Sequence, residues 1–349
     1  MREQEIYQKP QVNLAYSAAG RMWLVSFCAA MAIIQSSLTD GFASLLTAFA
    51  AAAAAVLTEL SLTFKKGRIR DGSAVTSALI LVLLLPNTIH PVFAALGAVF
   101  AMAVVKHGFG GLGANWLNPA LGGWLFIRFS WPGAFNRSLE GSPLAVLSES
   151  LGRGFSDPQG SPLAILKISG WSGGSFDGTF TSILNKLFFF TGGVELPGGY
   201  IAFFNPAGAG IIADRGLFCL LLGTIVITAF RIGRFYVPLV YLGVYALLIR
   251  LLGALPLGGT PGNGDMLFGL LSGGTLAAAF LLAADPATGP KSAAGALISA
   301  ALAGAGTFIF RYQGLEPYGA FFAIALLNAL APLIRGLESR SFYSRGEVP

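Results

Sequence analysis

Two aspartates stand in otherwise apolar stretches. Asp71 opens Asp71-Gly-Ser-Ala-Val-Thr76, and Asp285 lies in Ala284-Asp285-Pro-Ala-Thr288-Gly-Pro. A carboxylate at membrane depth is costly, so by default it points to function, lining an ion path or orienting a cofactor ring. Each aspartate also has a structural reading, as the acceptor that caps a helix N-terminus. Asn115 and Asn118, in Gly110-Gly-Leu-Gly-Ala-Asn115-Trp-Leu-Asn118-Pro, sit where a glycine-rich stretch runs into a short span. That position suits an anion or phosphate at a helix N-terminus. It equally suits polar packing between helices, worth ~0.6 kcal/mol on average. Gly160-Ser161-Pro-Leu and Ser169-Gly-Trp-Ser172-Gly173-Gly-Ser175 offer hydroxyls on turns. Such strings can cradle a phosphate or serve as plain linkers. His90, His107, Cys28 and Cys219 have no partner at metal-ligand spacing, so no metal site is assigned. No Walker loop, nucleophile elbow or dinucleotide fingerprint occurs, and no catalytic residue is assigned.

The composition says what must position these residues. The chain has 349 residues, of which 22 are Lys or Arg and 16 are Asp or Glu. Charged residues thus make up 11%, where a soluble domain carries roughly 25%. Hydrophobic residues reach 54%, with 28 Phe and only 2 His. This mixture excludes an ordinary soluble domain, a disordered chain and a disulfide scaffold, and implies an all-α polytopic membrane protein in the lipid bilayer. The net charge of +6 therefore reads as topology, with no nucleic-acid partner. Met1 to Gly20 is polar and lacks the apolar core of a signal peptide.

Apolar segments fall at 22–39, 42–62, 74–86, 89–105, 116–130, 216–230, 235–253, 265–283, 292–310 and 318–334. About ten transmembrane helices are expected. With the N-terminus inside, the inner basic residues are Arg2, Lys9, Arg21, Lys65, Lys66, Arg68, Arg70, Lys106, Arg231, Arg234, Lys291, Arg335, Arg340 and Arg345, 14 of 22. Arg311 falls in a short outer connection and Arg215 at the end of a long outer loop. Long loops translocate regardless of charge, so both termini are expected to be cytoplasmic. Asp71-Gly-Ser-Ala echoes Gly273-Gly-Thr-Leu, and Leu117-Asn-Pro-Ala echoes Leu327-Asn-Ala-Leu. Five spans per half is odd, so the second half must be upside down, giving an inverted 5+5 repeat with sites at the interface. The expected organisation is a cytoplasmic segment 1–21, a five-helix repeat 22–130, an extracytoplasmic loop 131–215, a second repeat 216–335 and a cytoplasmic tail 336–349.

Asp71-Gly-Ser-Ala-Val-Thr-Ser-Ala-Leu, Lys106-His-Gly-Phe-Gly-Gly-Leu-Gly-Ala-Asn115-Trp-Leu-Asn118-Pro-Ala-Leu, Ala284-Asp285-Pro-Ala-Thr288-Gly-Pro and Asn328 together carry a resemblance. Over about residues 20 to 336 the chain resembles the family of the D subunit of the Rnf ion-translocating oxidoreductase. That family is related to the B subunit of the sodium-pumping NADH:quinone reductase. The resemblance implies a ten-helix inverted-repeat fold, urea-channel-like in outline, in the inner membrane. It implies electron transfer between ferredoxin and NAD coupled to Na⁺ or H⁺ movement, with nicotinamide and ferredoxin chemistry in other membrane and redox subunits of the complex. It further implies FMN joined by a phosphoester to a loop hydroxyl, in a pattern near Asp-Gly-x-Ser/Thr-Gly-Ala-Thr. Here Ser172, Gly173 and Ser175 fit that pattern, but Ser169 replaces the Asp and Gly174 the Ala. Ser175 is the first candidate and Ser161 the second. A second, noncovalent flavin would draw on Asp71, Thr76, Asn115, Asn118, Asp285 and Thr288. A urea-channel-like channel or transporter without redox role is the alternative on the same scaffold.

Overall fold

A computed structural model of the chain describes residues 17–63, 71–111, 113–135, 210–253, 255, 261–262, 266–313 and 318–344. They form helices throughout. The sole β pairing among them is an isolated antiparallel bridge between Pro86 and Ile211. In the first half α1 spans Ala18–Asp40, α2 Ala43–Thr63, α3 Ser73–Leu84, α4 Pro91–Phe100 and α5 Pro119–Ser130. A π-helical turn, Ala101–His107, continues α4. Later in the chain come α6, Ile212–Arg215, α7, Leu217–Ala229, and α8, Tyr236–Leu252. They are followed by α9, Met266–Leu271, α10, Thr275–Ala277, α11, Ala293–Phe308, and α12, Gly319–Ser344. Two more π-helical stretches continue α10 (Ala278–Ala283) and α11 (Ile309–Gln313).

The starts of these helices follow from side-chain chemistry. Ser17 Oγ accepts from Gly20 N at 3.1 Å, and Ser292 Oγ from Gly295 N at 2.9 Å, each filling an orphan donor of the first turn. His90 and Asn118 do the same for α4 and α5, each followed by a proline whose missing N–H is no loss there. The helices α3 and α10 instead begin after Gly72 and Gly274, both left-handed, with φ 72° and 63°. A β-carbon is disfavoured in that conformation, so the glycines set where these two short helices start.

Four helices, over Ala18–Leu38, Ala43–Thr63, Ala293–Tyr312 and Gly319–Gly336, are long and apolar enough to cross a bilayer. Four apolar helices are shorter, over Ser73–Leu84, Pro91–His107, Leu217–Ala229 and Tyr236–Leu252. Large apolar side chains point outward along them, among them Phe49, Leu57, Ile225 and Leu239. Such surface suits lipid or the apolar face of a neighbouring membrane protein. The core between the helices is built on small residues, Ala29, Ala32, Ala51, Ala55, Ala94 and Ala98. They let backbones approach closely, as apolar solvent gives helices little reason to associate. A β-carbon on Gly123 would lie 2.5 Å from Gly97 O, so α4 and α5 cross at a point only glycine permits.

The first helix begins at Ala18 and the last runs to Ser344, so each continues beyond the apolar stretch read from the sequence. Two expectations are corrected. Residues 210–215, expected to close the outer loop, are packed inside. Ile211, Ile212, Ala213 and Arg215 are buried, and Asn87 N donates to Gly210 O and Ile212 N to Leu85 O. The echo of Asn118 with Asn328 does not hold in position, since Asn118 caps α5 whereas Asn328 lies well inside α12.

Candidate functional site

The two halves meet at a hydrogen bond. Asn118 Nδ2 donates to Asp285 Oδ2 at 2.9 Å across 167 residues of sequence. The other end of the same amide, Oδ1, accepts from Ala120 N at 3.0 Å and so starts α5. Asp285 follows the π-helical end of α10, and its Oδ1 accepts from Ala287 N at 3.0 Å. One helix N-terminus and one broken-helix turn are thereby locked face to face. Asn115 is also buried, and its Oδ1 has no hydrogen-bond partner. A buried acceptor left open is expensive unless a ligand or water completes it. Thr288, also buried, lies with Asp285 on the wall of one cavity.

Asp71 and Thr76 belong to a different environment. Asp71 Oδ1 accepts from Ser73 N at 2.8 Å and Ser73 Oγ at 2.7 Å, organising the start of α3. Thr76 Oγ1 lies 2.8 Å from Ser26 Oγ and 2.9 Å from Gly72 O, a contact between α1 and α3. The hydrogen bonds at these two residues do not reach Asn118 or Asp285. Ser161, Ser172, Gly173 and Ser175 lie outside the described residues.

Two buried charge networks were not foreseen. Lys106, counted with the inner loop charges, is 2% exposed. Its Nζ donates to Glu59 Oε1 at 2.5 Å and to Ser73 Oγ at 2.6 Å. The line Glu59–Lys106–Ser73–Asp71 thus joins α2, the π turn after α4 and the start of α3. Glu59 Oε2 is buried without a partner, and His107 Nε2 lies 3.7 Å from Oε1. A lone Glu in the apolar run 42–62 was the signal available in the sequence. Arg311 and Arg215, expected in outer connections, are likewise buried. Arg311 Nη1 donates to Tyr245 Oη and Gly269 O, both at 2.8 Å, and to Thr275 Oγ1 at 2.9 Å. Its Nη2 donates to Ser272 Oγ at 2.8 Å. Asp214 accepts from Gly273 N at 2.8 Å and Gly274 N at 2.7 Å. In each half, therefore, a cation in a π turn reaches the hydroxyl residue that begins a short, glycine-led helix.

The model of the NQR2, RnfD, RnfE family matches residues 5–343. A similar protein is the D subunit of the proton-translocating ferredoxin:NAD(+) oxidoreductase complex of Clostridium ljungdahlii, 31% identical, covering 94% of this chain and 92% of that one. Another is the D subunit of the Na(+)-translocating ferredoxin:NAD(+) oxidoreductase complex of Acetobacterium woodii, 29% identical over 97% and 94%. The D subunit of the ion-translocating oxidoreductase complex of Vibrio cholerae is 28% identical over 94% and 96%. A match spanning nearly every residue, together with apolar helices and polar groups buried between them, places this multi-pass membrane chain in the NQR2, RnfD, RnfE family.

Proposed function

We propose that this chain is the D subunit of an Rnf-type complex, carrying flavin and passing electrons between ferredoxin- and NAD-linked partner subunits while Na⁺ or H⁺ is moved. The observation that carries this reading is the full-length likeness to proteins named as that subunit in such complexes. Those relatives differ in the ion they are named for, so the likeness supports translocation without choosing the ion. The rival, a urea-channel-like channel without redox role, has no named relative among these proteins.

The proposed architecture is ten spans in an inverted 5+5 repeat, in the inner membrane with both termini cytoplasmic. It is supported by the matching element order, α1 to α5 against α7 to α12, with α9 and α10 together opposite α3. It is supported also by the paired left-handed glycines, Gly72 and Gly274, and the paired cations Lys106 and Arg311. Short helices that break within the membrane are the hallmark of sites at a repeat interface.

For a noncovalent flavin the donor set fits at the junction of the halves. Bound there, the flavin would supply the one- and two-electron chemistry that no side chain in this chain offers. Asn115 Oδ1, open and buried, would accept from a ring N–H. Asn118 and Asp285 would help to hold it, themselves fixed by their mutual bond and by Ala120 N and Ala287 N. Ala120, Leu121 and Trp124 are fully buried, so the α5 side of the junction is closely packed. FMN esterified to Ser175, or otherwise Ser161, is the second proposed cofactor; its support is the motif alone.

Denaturing gels of the purified chain under ultraviolet light test the covalent cofactor. A fluorescent band lost in Ser175→Ala is expected, and a band lost only in Ser161→Ala moves the attachment. A dark wild-type band rejects covalent flavin. Flavin released from the native complex by denaturation tests the noncovalent site, and its absence from wild type rejects it.

A further inference from the structure

We propose that a cavity in the second half of the chain is a water-filled inlet through which Asp285 exchanges protons with the inner aqueous phase. The proposal rests on the orientation given above. The cavity measures about 40 Å³ and lies between α8, α11, α12 and the turn that carries Asp285. A water needs about 10–15 Å³ of such space, so there is room for more than one. Asp285 and Thr288 stand on its wall, with Ser299 from α11, Asn328 from α12 and Arg234 from the connection before α8.

Two of these groups call for a ligand. Asn328 is 6% exposed, and its Nδ2 is buried without a hydrogen-bond partner. Ser299 Oγ is buried without one as well. An apolar cavity stays dry, but a cavity edged by an unpaired amide donor, an unpaired hydroxyl and a carboxylate gives water the several partners it requires. The remaining wall, including Ala303, Ile324 and Leu327, is apolar. Such a wall leaves the waters few competing partners, so they are held at the polar groups.

The rim is fixed. Arg234 donates to Pro290 O at 2.7 Å and Lys291 O at 2.9 Å. From α12, Arg335 Nη2 donates to Ala287 O and Gly289 O, both at 2.9 Å, and Glu338 accepts from Lys291 N at 3.2 Å. Charges from two other parts of the chain thus pin the turn between Asp285 and Ser292. The same charges mark this end as the aqueous one, since they sit where lipid would be least tolerant. A proton arriving along the waters forms an O–H bond at a carboxylate oxygen of Asp285 as the water's O–H bond breaks. The reverse step returns it, so protons reach the junction of the halves without crossing the membrane.

Silver ion, close to a water in size, thiol-reactive and excluded by lipid, tests the inlet in membrane vesicles that hold the whole complex. On a Cys28→Ala, Cys219→Ala background, Ser299→Cys is compared with Ile298→Cys, whose side chain faces outward at 58% exposure. After silver treatment the tagged chain is denatured and its remaining thiol counted with a fluorescent maleimide. Ser299→Cys is expected to react from the inner side at least an order of magnitude faster than Ile298→Cys. Asp285→Cys is expected to react from that side too, and to slow when Ser299→Val and Asn328→Leu are added. Failure of Ser299→Cys to react from either side overturns the inlet and leaves the orientation standing. Reaction from the outer side alone overturns both.

Discussion

Asn118 serves two structures with one amide, and its substitutions should separate them. Asn118→Ala removes both the cap of α5 and the donor to the half-buried Asp285. Leaving a buried acceptor short of a partner costs about 1–3 kcal/mol. The cap adds about 1 kcal/mol. Asp285→Ala removes the acceptor and leaves the cap of α5 intact. A double-mutant cycle of thermal unfolding in detergent should therefore give a coupling of about 1–3 kcal/mol between the two sites. Additive effects would mean that the bond across the halves is worth nothing. Lys106 makes a harsher case. Lys106→Met leaves the buried Glu59 without its lysine partner, which costs about 3–5 kcal/mol. Adding Glu59→Gln should restore most of the loss, read as the melting temperature and the yield of monodisperse protein. Only part of this was legible in the sequence. Asp71, Asn118 and Asp285 stand out because polar groups are rare in apolar runs. The pairing of Asn118 with Asp285 does not, because no local period links positions so far apart.

At the scale of elements, the segment Gly210–Gly216 ties the two short helices together. It pairs with Leu85 and Asn87 beyond the end of α3, and its Asp214 holds the two glycine N–H groups before α10. Asp214→Ala should therefore loosen a helix to which it does not belong. We expect amide exchange to rise over Gly273–Ala277, with a stability loss of about 2 kcal/mol, while α1 and α2 keep their protection. Unchanged exchange there would show that Asp214 is dispensable for α10. The crossing of α4 and α5 is sensitive for a different reason. Gly123→Ala places a methyl group 2.5 Å from Gly97 O. Overpacking of this kind costs about 1–3 kcal/mol. Gly133→Ala meets nothing within 4 Å and should leave the melting temperature unchanged. Helix positions were readable because apolar length and proline or glycine punctuation are local signals. The inward packing of 210–215 was not, because Ile211-Ile-Ala-Asp-Arg is too short to show a period and was absorbed into the neighbouring Gly-rich stretch.

For the whole molecule, the charge pattern misplaced individual residues without spoiling its logic. Lys106 left the inner count when the structure buried it against Glu59, and Arg215 and Arg311 left the outer one. Removing these three, the buried cations among the described residues, takes the expected inner share from 14 of 22 to 13 of 19 and so keeps the expected bias. Buried cations answer to hydrogen-bond partners, as Arg311 does to Tyr245 and Ser272, and they carry no topological vote. The proposed ten crossings carry a parity that can be tested. Five spans in each half bring the C-terminus back to the side of the N-terminus, and any odd total separates them. A fluorescent protein that matures only inside the cell should therefore glow when fused after Pro349. Alkaline phosphatase, active only outside, should be active when inserted after Gly160 or Gly262 and silent when inserted after Arg231. Activity of the phosphatase fused at the C-terminus would require an odd total. It would then break the inverted repeat, because two five-span halves cannot end on opposite sides of one membrane.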